Sequence, residues 1–268
     1  MAGIVRNLIV LGLIGFGIFL IARGWSSQPR ASEISTSSQS QPEPAATSEP
    51  TSTVSAVPIL MYHYIRDYND PRDKIGINLS VAPQTFARQL DHLTKQGYTT
   101  ATLDDFTQHR LKEKSVILTF DDGYASHYTD AFPALKARGM TATFYIVTNA
   151  VGTNGSLTWD QIREMQGAGM QIESHGPSHR DLTTLSKEEQ LNELVESKKT
   201  IEGKLGKTVQ HFCYPSGRYT EDTLALVKSA GYETATTTKS GVASYTHSPY
   251  ELPRLRIENI TDFSAILP

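Results

Sequence analysis

The chain has 268 residues, 25 Lys and Arg against 28 Asp and Glu, a formal net charge of -3 and a hydrophobic content of 38%. These proportions fit a globular protein of one large domain or two small ones and exclude a fibrous or wholly disordered chain. The slightly acidic balance offers nothing to hold a nucleic-acid backbone, and the single cysteine, Cys213, excludes an internal disulfide framework.

Residues 8–22, LIVLGLIGFGIFLIA, are apolar and uncharged, roughly 22 Å of helix. Extended from Ile4 to Trp25, with Arg6 and Arg23 snorkelling, the run can span a membrane. Two readings of residues 1–25 stand: a retained signal-anchor, or a signal peptide removed on export. No small-x-small cleavage site follows directly, and Trp25 suits a membrane interface, which favours the anchor. The bulk of the chain is then expected in the cell envelope, outside the cytoplasm, either anchored or secreted. Residues 26–56 are rich in Ser, Thr and Pro and carry no aromatic residue. They read as a disordered, flexible linker.

Residues 57–268 alternate strand and helix patterns. Val57–Ile65 reads as a buried strand, the stretch from Pro83 to Gly97 as a helix, and YTTATL as a strand. Ser115–Phe120 is apolar on both faces. A helix over His127–Arg138, closed by Gly139, leads to the strand TATFYIVT. A helix from Trp159 precedes the strand MQIESHG. Ser186 and Glu189 form the capping box of a long amphipathic helix. The strand QHFCYP, the helix TEDTLALVKSAG, and the strands YETATTT and ELPRLRI complete the chain. Repeated β-α units with apolar strands predict a parallel sheet covered by helices, an α/β fold closing into a barrel of seven or eight strands.

Two chemically loaded clusters follow apolar strands, where an α/β barrel carries its active site. The first is Thr119-Phe120-Asp121-Asp122-Gly123. Neighbouring strand side chains point to opposite faces, so a bend is needed to bring both carboxylates to one site. The second is Ser174-His175-Gly176-Pro177-Ser178-His179, a loop able to converge two imidazoles on one cation. One carboxylate with two histidines makes a three-ligand site with open positions, the pattern of a catalytic metal. The second carboxylate is left as a base. Each cluster alone also has a plain reading, a helix cap for the aspartates and surface residues for the histidines.

TFDDG, with His-x-x-x-His roughly fifty residues on, resembles the polysaccharide deacetylases (the NodB-homology domain) across residues 57–268. The resemblance implies a distorted (β/α) barrel and a monomer acting on a polysaccharide. It implies Asp121 as general base and Asp122, His175 and His179 as ligands of a divalent metal, usually zinc, with cobalt or nickel as alternatives. Phe212–Gly217 is similar to the family's FRPPYG-type segment. It places the oxyanion donor on the Ser216 backbone, with Tyr214 and Pro215 beside the substrate. The chain also departs from the family. Cys213 stands where an orienting Arg is usual, Gly176 replaces a Ser or Thr, and the late Leu-x-His that supplies the general acid is missing. In the poly-N-acetylglucosamine deacetylase branch, which this chain resembles in its Tyr62-His63, an early His takes the acid role. His63 is therefore the expected acid, and Arg254 or Arg256 the expected replacement for the Arg.

The function expected is removal of N-acetyl groups from an extracytoplasmic N-acetylglucosamine polymer, peptidoglycan or exopolysaccharide. An O-acetyl esterase, or an inactive carbohydrate-binding homologue, are the alternatives. His92 and His109 read as surface residues, His127 as structural, His211 as a start-of-strand residue near the site, Cys213 as a buried filler and Trp159 as helix packing. The loop from Arg66 to Ile77 is expected to shape specificity.

Overall fold

The computed structural model describes residues 54–267. The expected membrane segment and the linker up to residue 53 lie outside the described residues, among which no helix is long and apolar enough to cross a membrane. Eight strands form one parallel sheet: β1 (Ile59–Tyr62), β2 (Thr99–Ala101), β3 (Ser115–Phe120), β4 (Thr143–Ile146), β5 (Gln171–Ser174), β6 (His211–Cys213), β7 (Thr234–Thr236) and β8 (Leu255–Arg256). The order is β7-β6-β5-β4-β3-β1-β8, with β2 paired to the first half of β3. The sheet curls until residues 252–256 span its two edges. Leu252 bridges Thr236 in parallel, and Leu255 pairs with Leu60.

Both faces of the strands are buried, which is why their sequences are apolar throughout rather than alternating. Ile59, Ile117, Tyr145 and Cys213 share one apolar cluster inside the curl. Leu60, Leu118, Phe144 and Phe212 share the other, against the helices. The covering helices are α1 (Pro83–Lys95), α2 (Trp159–Gly167), α3 (Lys187–Leu205) and α4 (Glu221–Ser229). Pro83 at the first turn of α1 loses no hydrogen bond there. The capping box of Ser186 and Glu189 is formed as expected, and α3 stops at Gly206 with φ 66°.

Three expected elements are broken, each for a local reason. The strand predicted over 57–65 is three pieces, separated at Pro58, which cannot donate to a ladder, and at His63. Its first piece, Ala56–Val57, pairs antiparallel with Ala243–Ser244, and Val54 packs on the apolar cluster, so the packed domain reaches back into the predicted linker at least to Val54. ELPRLRI is split at Pro253, and the Arg254 N–H turns to the Lys239 carbonyl at 2.9 Å. The helix predicted from His127 opens as a π-helical turn over His127–Ala131 before the α-helical Phe132–Lys136. Pro133 cannot donate to the carbonyl of Thr129, and a widened turn accommodates it. Within the loop expected to shape specificity, Asp73 caps a short helix, Lys74–Asn78, by accepting from the Gly76 N–H.

Candidate active site

Asp121 and Asp122 follow β3 directly, and Asp122 adopts φ 78°. This is the bend that two adjacent carboxylates require. It is an uncommon conformation for a residue with a Cβ, and the surroundings must hold it in place. His175 follows β5, and His179, with φ 54°, ends the next turn. The Nε2 atoms of both histidines lie 3.3 Å from Asp122 Oδ1. Donor atoms of the three residues lie within 4.8 Å of one another.

The tautomer of His175 follows from its other nitrogen. Nδ1 lies 2.7 Å from the Cys213 carbonyl, which can only accept. Nδ1 therefore carries the proton, and a neutral His175 directs the Nε2 lone pair at a carboxylate. Two acceptors face each other unless a cation lies between them. In the absence of a cation, a proton takes that place. Burial opposes a charged His175, yet Cys213 and Asp122 outweigh it and its pKa is raised. Asp122 is held far below the usual carboxylate range, because its histidine partners outweigh burial.

Asp121 is held apart from this cluster. Arg254 Nη1 and Nη2 donate to its two carboxylate oxygens at 2.7 Å each. Arg254 is itself fixed by donating to the Thr237 carbonyl at 2.9 Å and the Thr119 hydroxyl at 3.1 Å. Burial alone would raise the Asp121 pKa; the guanidinium outweighs it and holds the carboxyl at about 2. Of the two arginines predicted to serve here, Arg254 does, while Arg256 lies exposed at the cavity wall. Cys213 is buried, as expected of a filler, and is also in the network. Its Sγ lies 3.6 Å from Asp121 Oδ2 and 3.2 Å from Arg254 Nη2.

His63 stands at the end of β1 with Nε2 3.8 Å from Asp121 Oδ2. Burial lowers its pKa against the pull of Asp121 and Asp122. Tyr214, Pro215 and Ser216 follow β6. Tyr214 donates to the Tyr250 carbonyl at 3.1 Å, and Ser216 takes φ 57°. Gly217 is required beside it, since a Cβ there would lie 2.0 Å from Thr238 Oγ1. His63, both aspartates, His175, His179, Tyr214, Ser216 and Arg256 line one cavity of about 550 Å³. Pro215 is buried behind it.

Three residues that sequence reasoning passed over support the site. His127, read as structural, is fully buried with Nε2 2.6 Å from the His63 carbonyl. A carbonyl accepts only, so His127 Nε2–H donates and fixes the backbone of His63. Burial keeps His127 neutral, its pKa down at about 4. Glu193 on α3 accepts from the Ser178 hydroxyl at 2.6 Å and so ties down the histidine loop. A Cβ on Gly176 would lie 3.3 Å from this carboxylate, which gives the small residue there a physical reason. Tyr124, next after TFDDG, lines the cavity. The sequence gives no periodic or spacing signal for the first two. His211 lies elsewhere, at the start of β6, where its nitrogens meet Asp104 and Thr234 at 2.8 Å.

Fold and site together define a class: an α/β protein with a curled parallel sheet, whose candidate metal-ligand cluster and separate carboxylate share one cavity at the C-terminal strand ends. Comparison with known proteins narrows it. Residues 108–235 match the family model of the polysaccharide deacetylases. YxkH of Bacillus subtilis (strain 168), described as a polysaccharide deacetylase, is 36% identical over 206 residues, covering 75% of this chain and 71% of that one. The poly-beta-1,6-N-acetyl-D-glucosamine N-deacetylase of Staphylococcus epidermidis is 27% identical over 230 residues, 75% and 78% of the two chains. The solved structure of Streptococcus pyogenes deacetylase PplD in complex with acetate superposes with a TM-score of 0.74 at 32% identity, covering 79% of this chain and 96% of that one. The chain belongs to the polysaccharide deacetylase family.

Proposed function

We propose that this protein is a metal-dependent hydrolase that removes N-acetyl groups from an N-acetylglucosamine polymer outside the cytoplasm. The observation that carries the reading is the convergence of two imidazole Nε2 atoms on Asp122, each at 3.3 Å, beside a carboxylate that Arg254 holds separately. The donor set fits a divalent cation. Two neutral nitrogens and one carboxylate suit zinc, with cobalt or nickel as alternatives, and the His175 proton is parked on Nδ1, away from the cluster. Held by Asp122, His175 and His179, such an ion would supply Lewis acidity toward the acetyl carbonyl and acidify a water molecule.

The chain's own groups do the rest. Asp121, ionised throughout the working range, accepts the proton of the attacking water. Arg254 keeps that carboxylate oriented. Ser216 lines the cavity, which supports its backbone N–H as the donor to the developing oxyanion. His63 donates a proton to the leaving amine, and His127 holds its backbone in place. His63 and Arg254 stand where the sequence departs from the family pattern, which weighs against an inactive binding homologue. The Staphylococcus epidermidis relative supports poly-N-acetylglucosamine as substrate. The apolar segment within residues 1–25 supports a site of action in the cell envelope, by an anchor or after secretion, and the protein is taken to act as a monomer.

The test is acetate release by the full-length chain, with zinc and with a chelator. Substrates are N-acetylglucosamine oligomers, peptidoglycan and acetylxylan, beside Asp121→Asn. Chelator-sensitive release from an amide substrate, lost in Asp121→Asn, is the expected result. Release from acetylxylan alone would make the protein an esterase, and release from none of them would overturn the reading.

A further inference from the structure

A second cavity of about 360 Å³ adjoins the catalytic one. The same two segments wall both. The short helix Lys74–Asn78 gives Asn78 to the catalytic cavity and Ile77 to its neighbour, and the stretch after β8 gives Glu258 to the first and Asn259 to the second. A stack of side chains runs between them. Tyr124, on the catalytic wall, stacks on Tyr64 with ring centroids 3.6 Å apart. The Arg66 guanidinium lies 3.6 Å from the Tyr64 centroid and 4.2 Å from that of Tyr68. Arg66 Nε donates to the Ser80 hydroxyl at 3.0 Å, and Tyr68 donates to Asp73, the cap of the short helix, at 2.7 Å.

The guanidinium is thus fixed by two aromatic rings and at one edge. Its two Nη groups make no protein hydrogen bond among the described residues, and Arg66 lines the second cavity. Immobilising a long side chain sacrifices rotamer entropy. The arrangement leaves a rigid fork of donors facing open space, the form in which Arg recognises planar or closely paired oxygens. Tyr64 has both faces covered, by Tyr124 and Arg66, so recognition here is by hydrogen-bonding edges rather than by stacking on that ring. Asn69 and Asn259 add exposed amides, and Ile260, 86% exposed, adds an apolar surface. Asp67 adds a carboxylate to the same wall, so a charged donor, a charged acceptor and neutral amides converge beside one apolar surface; this suits a sugar ring, which carries hydroxyls on its rim and C–H groups on its faces.

We propose that this cavity is a subsite for a hexosamine unit next to the one being deacetylated, with Arg66 donating to its ring substituents. The proposal rests on the polymer deacetylase reading, because a neighbouring unit exists only in a polymer. It makes the enzyme length-selective. A single N-acetylglucosamine fills only the catalytic cavity, and an oligomer fills both.

The experiment compares kcat/KM on N-acetylglucosamine and on its β-1,6-linked pentamer for the full-length chain, Arg66→Met and Ile260→Ser. Methionine keeps the packing between the rings and removes the donors. The expected result is a wild-type preference for the pentamer of tenfold or more, cut at least fivefold by Arg66→Met, with turnover of the monosaccharide unchanged within twofold. Ile260→Ser, a surface change that does not disturb the stack, is expected to cut it twofold to threefold. Equal rates on the two lengths in the wild type, or a wild-type length ratio in both variants, overturns the subsite. If no oligomer is hydrolysed, the catalytic reading fails separately, and the subsite is then judged by calorimetric binding of the β-1,6-glucosamine pentamer to Asp121→Asn. Binding weakened fivefold by adding Arg66→Met supports it, and unchanged binding overturns it.

Discussion

Replacing Arg254 by methionine probes the site at its most constrained point. Guanidinium and carboxylate are 1% and 2% exposed and share two contacts of 2.7 Å. Methionine fills much of the volume and leaves Asp121 as a buried charge with no cation beside it. Removing one partner of such a pair costs about 3–5 kcal/mol. The carboxylate has one escape, which is to take up a proton. Asp121 stands at about 2 only because Arg254 outweighs the burial that pushes the other way. Loss of an adjacent cation moves a carboxyl up by about 1–3 units. The acid limb of the rate profile is therefore expected to move to higher pH by about that amount.

The stability profile moves with it. A folded-state value depressed from 3.8 to about 2 contributes stability that is present above 3.8 and lost as the pH falls toward 2. At 1.36 kcal/mol per unit this is about 2 kcal/mol. The parent protein sheds that increment on acidification, and Arg254→Met has none to shed. The assay pairs thermal unfolding of the metal-stripped chain across acid pH with acetate release across the same range. Arg254→Lys keeps a charge without the two-pronged geometry and should fall between. An Arg254→Met protein with the parent's melting temperature and an unmoved acid limb would refute the pairing argument.

His63→Gln should lower turnover of an amide substrate by about 10²–10⁴-fold and spare an activated aryl acetate, whose leaving group needs no proton; equal losses on both would remove the acid role. His127→Phe should lower kcat by up to about 10²-fold through misplacement of His63, and His127→Gln, whose amide can still donate to the His63 carbonyl, should recover most of it. Identical kinetics for the two variants would make His127 a packing residue alone. Glu173, buried on β5, accepts from the backbone N–H groups of Gln210 and His211 at 2.9 and 2.8 Å, and burial pushes its pKa up from 4.5 to about 7. A raised carboxyl favours the protonated fold, so this stability is full below 4.5 and lost as the pH rises through 7, about 3 kcal/mol in all. Glu173→Gln should flatten the fall in unfolding free energy between those values, and an unaltered slope would contradict the burial argument.

The gathering of Asp122, His175 and His179 beside Asp121 was legible because its parts are local. TFDDG and the two histidines each follow an apolar strand, and parallel strands deliver their C-terminal ends to one face whatever the chain does between them. The strand count was legible for the same reason, since burial on both faces leaves uninterrupted apolar runs. The breaks at Pro58 and Pro253 could have been placed from the missing donors. Pro133 marks the widened turn at His127 in the same way, but the contact that turn serves could not be placed, because it joins His127 to the His63 carbonyl. Sixty-four positions separate those two residues, and no periodicity links them.

The partner of Asp121 shows how a departure from a motif and a defect in a strand can be one feature. Cys213 is small, and it sits inside the curl against the base, where its Sγ meets Arg254 rather than filling the space an arginine would need. The charge must then come from another element. It comes from the broken last strand, between the bridge at Leu252 and the pairing at Leu255. Pro253 interrupts the ladder there, the Arg254 N–H turns to Lys239, and the side chain is left to run inward to Asp121 across 133 positions of sequence. A regular strand at that edge would have spent the same backbone groups on sheet pairing. The local irregularity that obscures β8 in the sequence is thus what lets a late arginine stand in for the one replaced by Cys213. It follows that Cys213→Arg should not restore the family pattern: a second guanidinium would meet the first over one carboxylate, and like charges in a buried site repel.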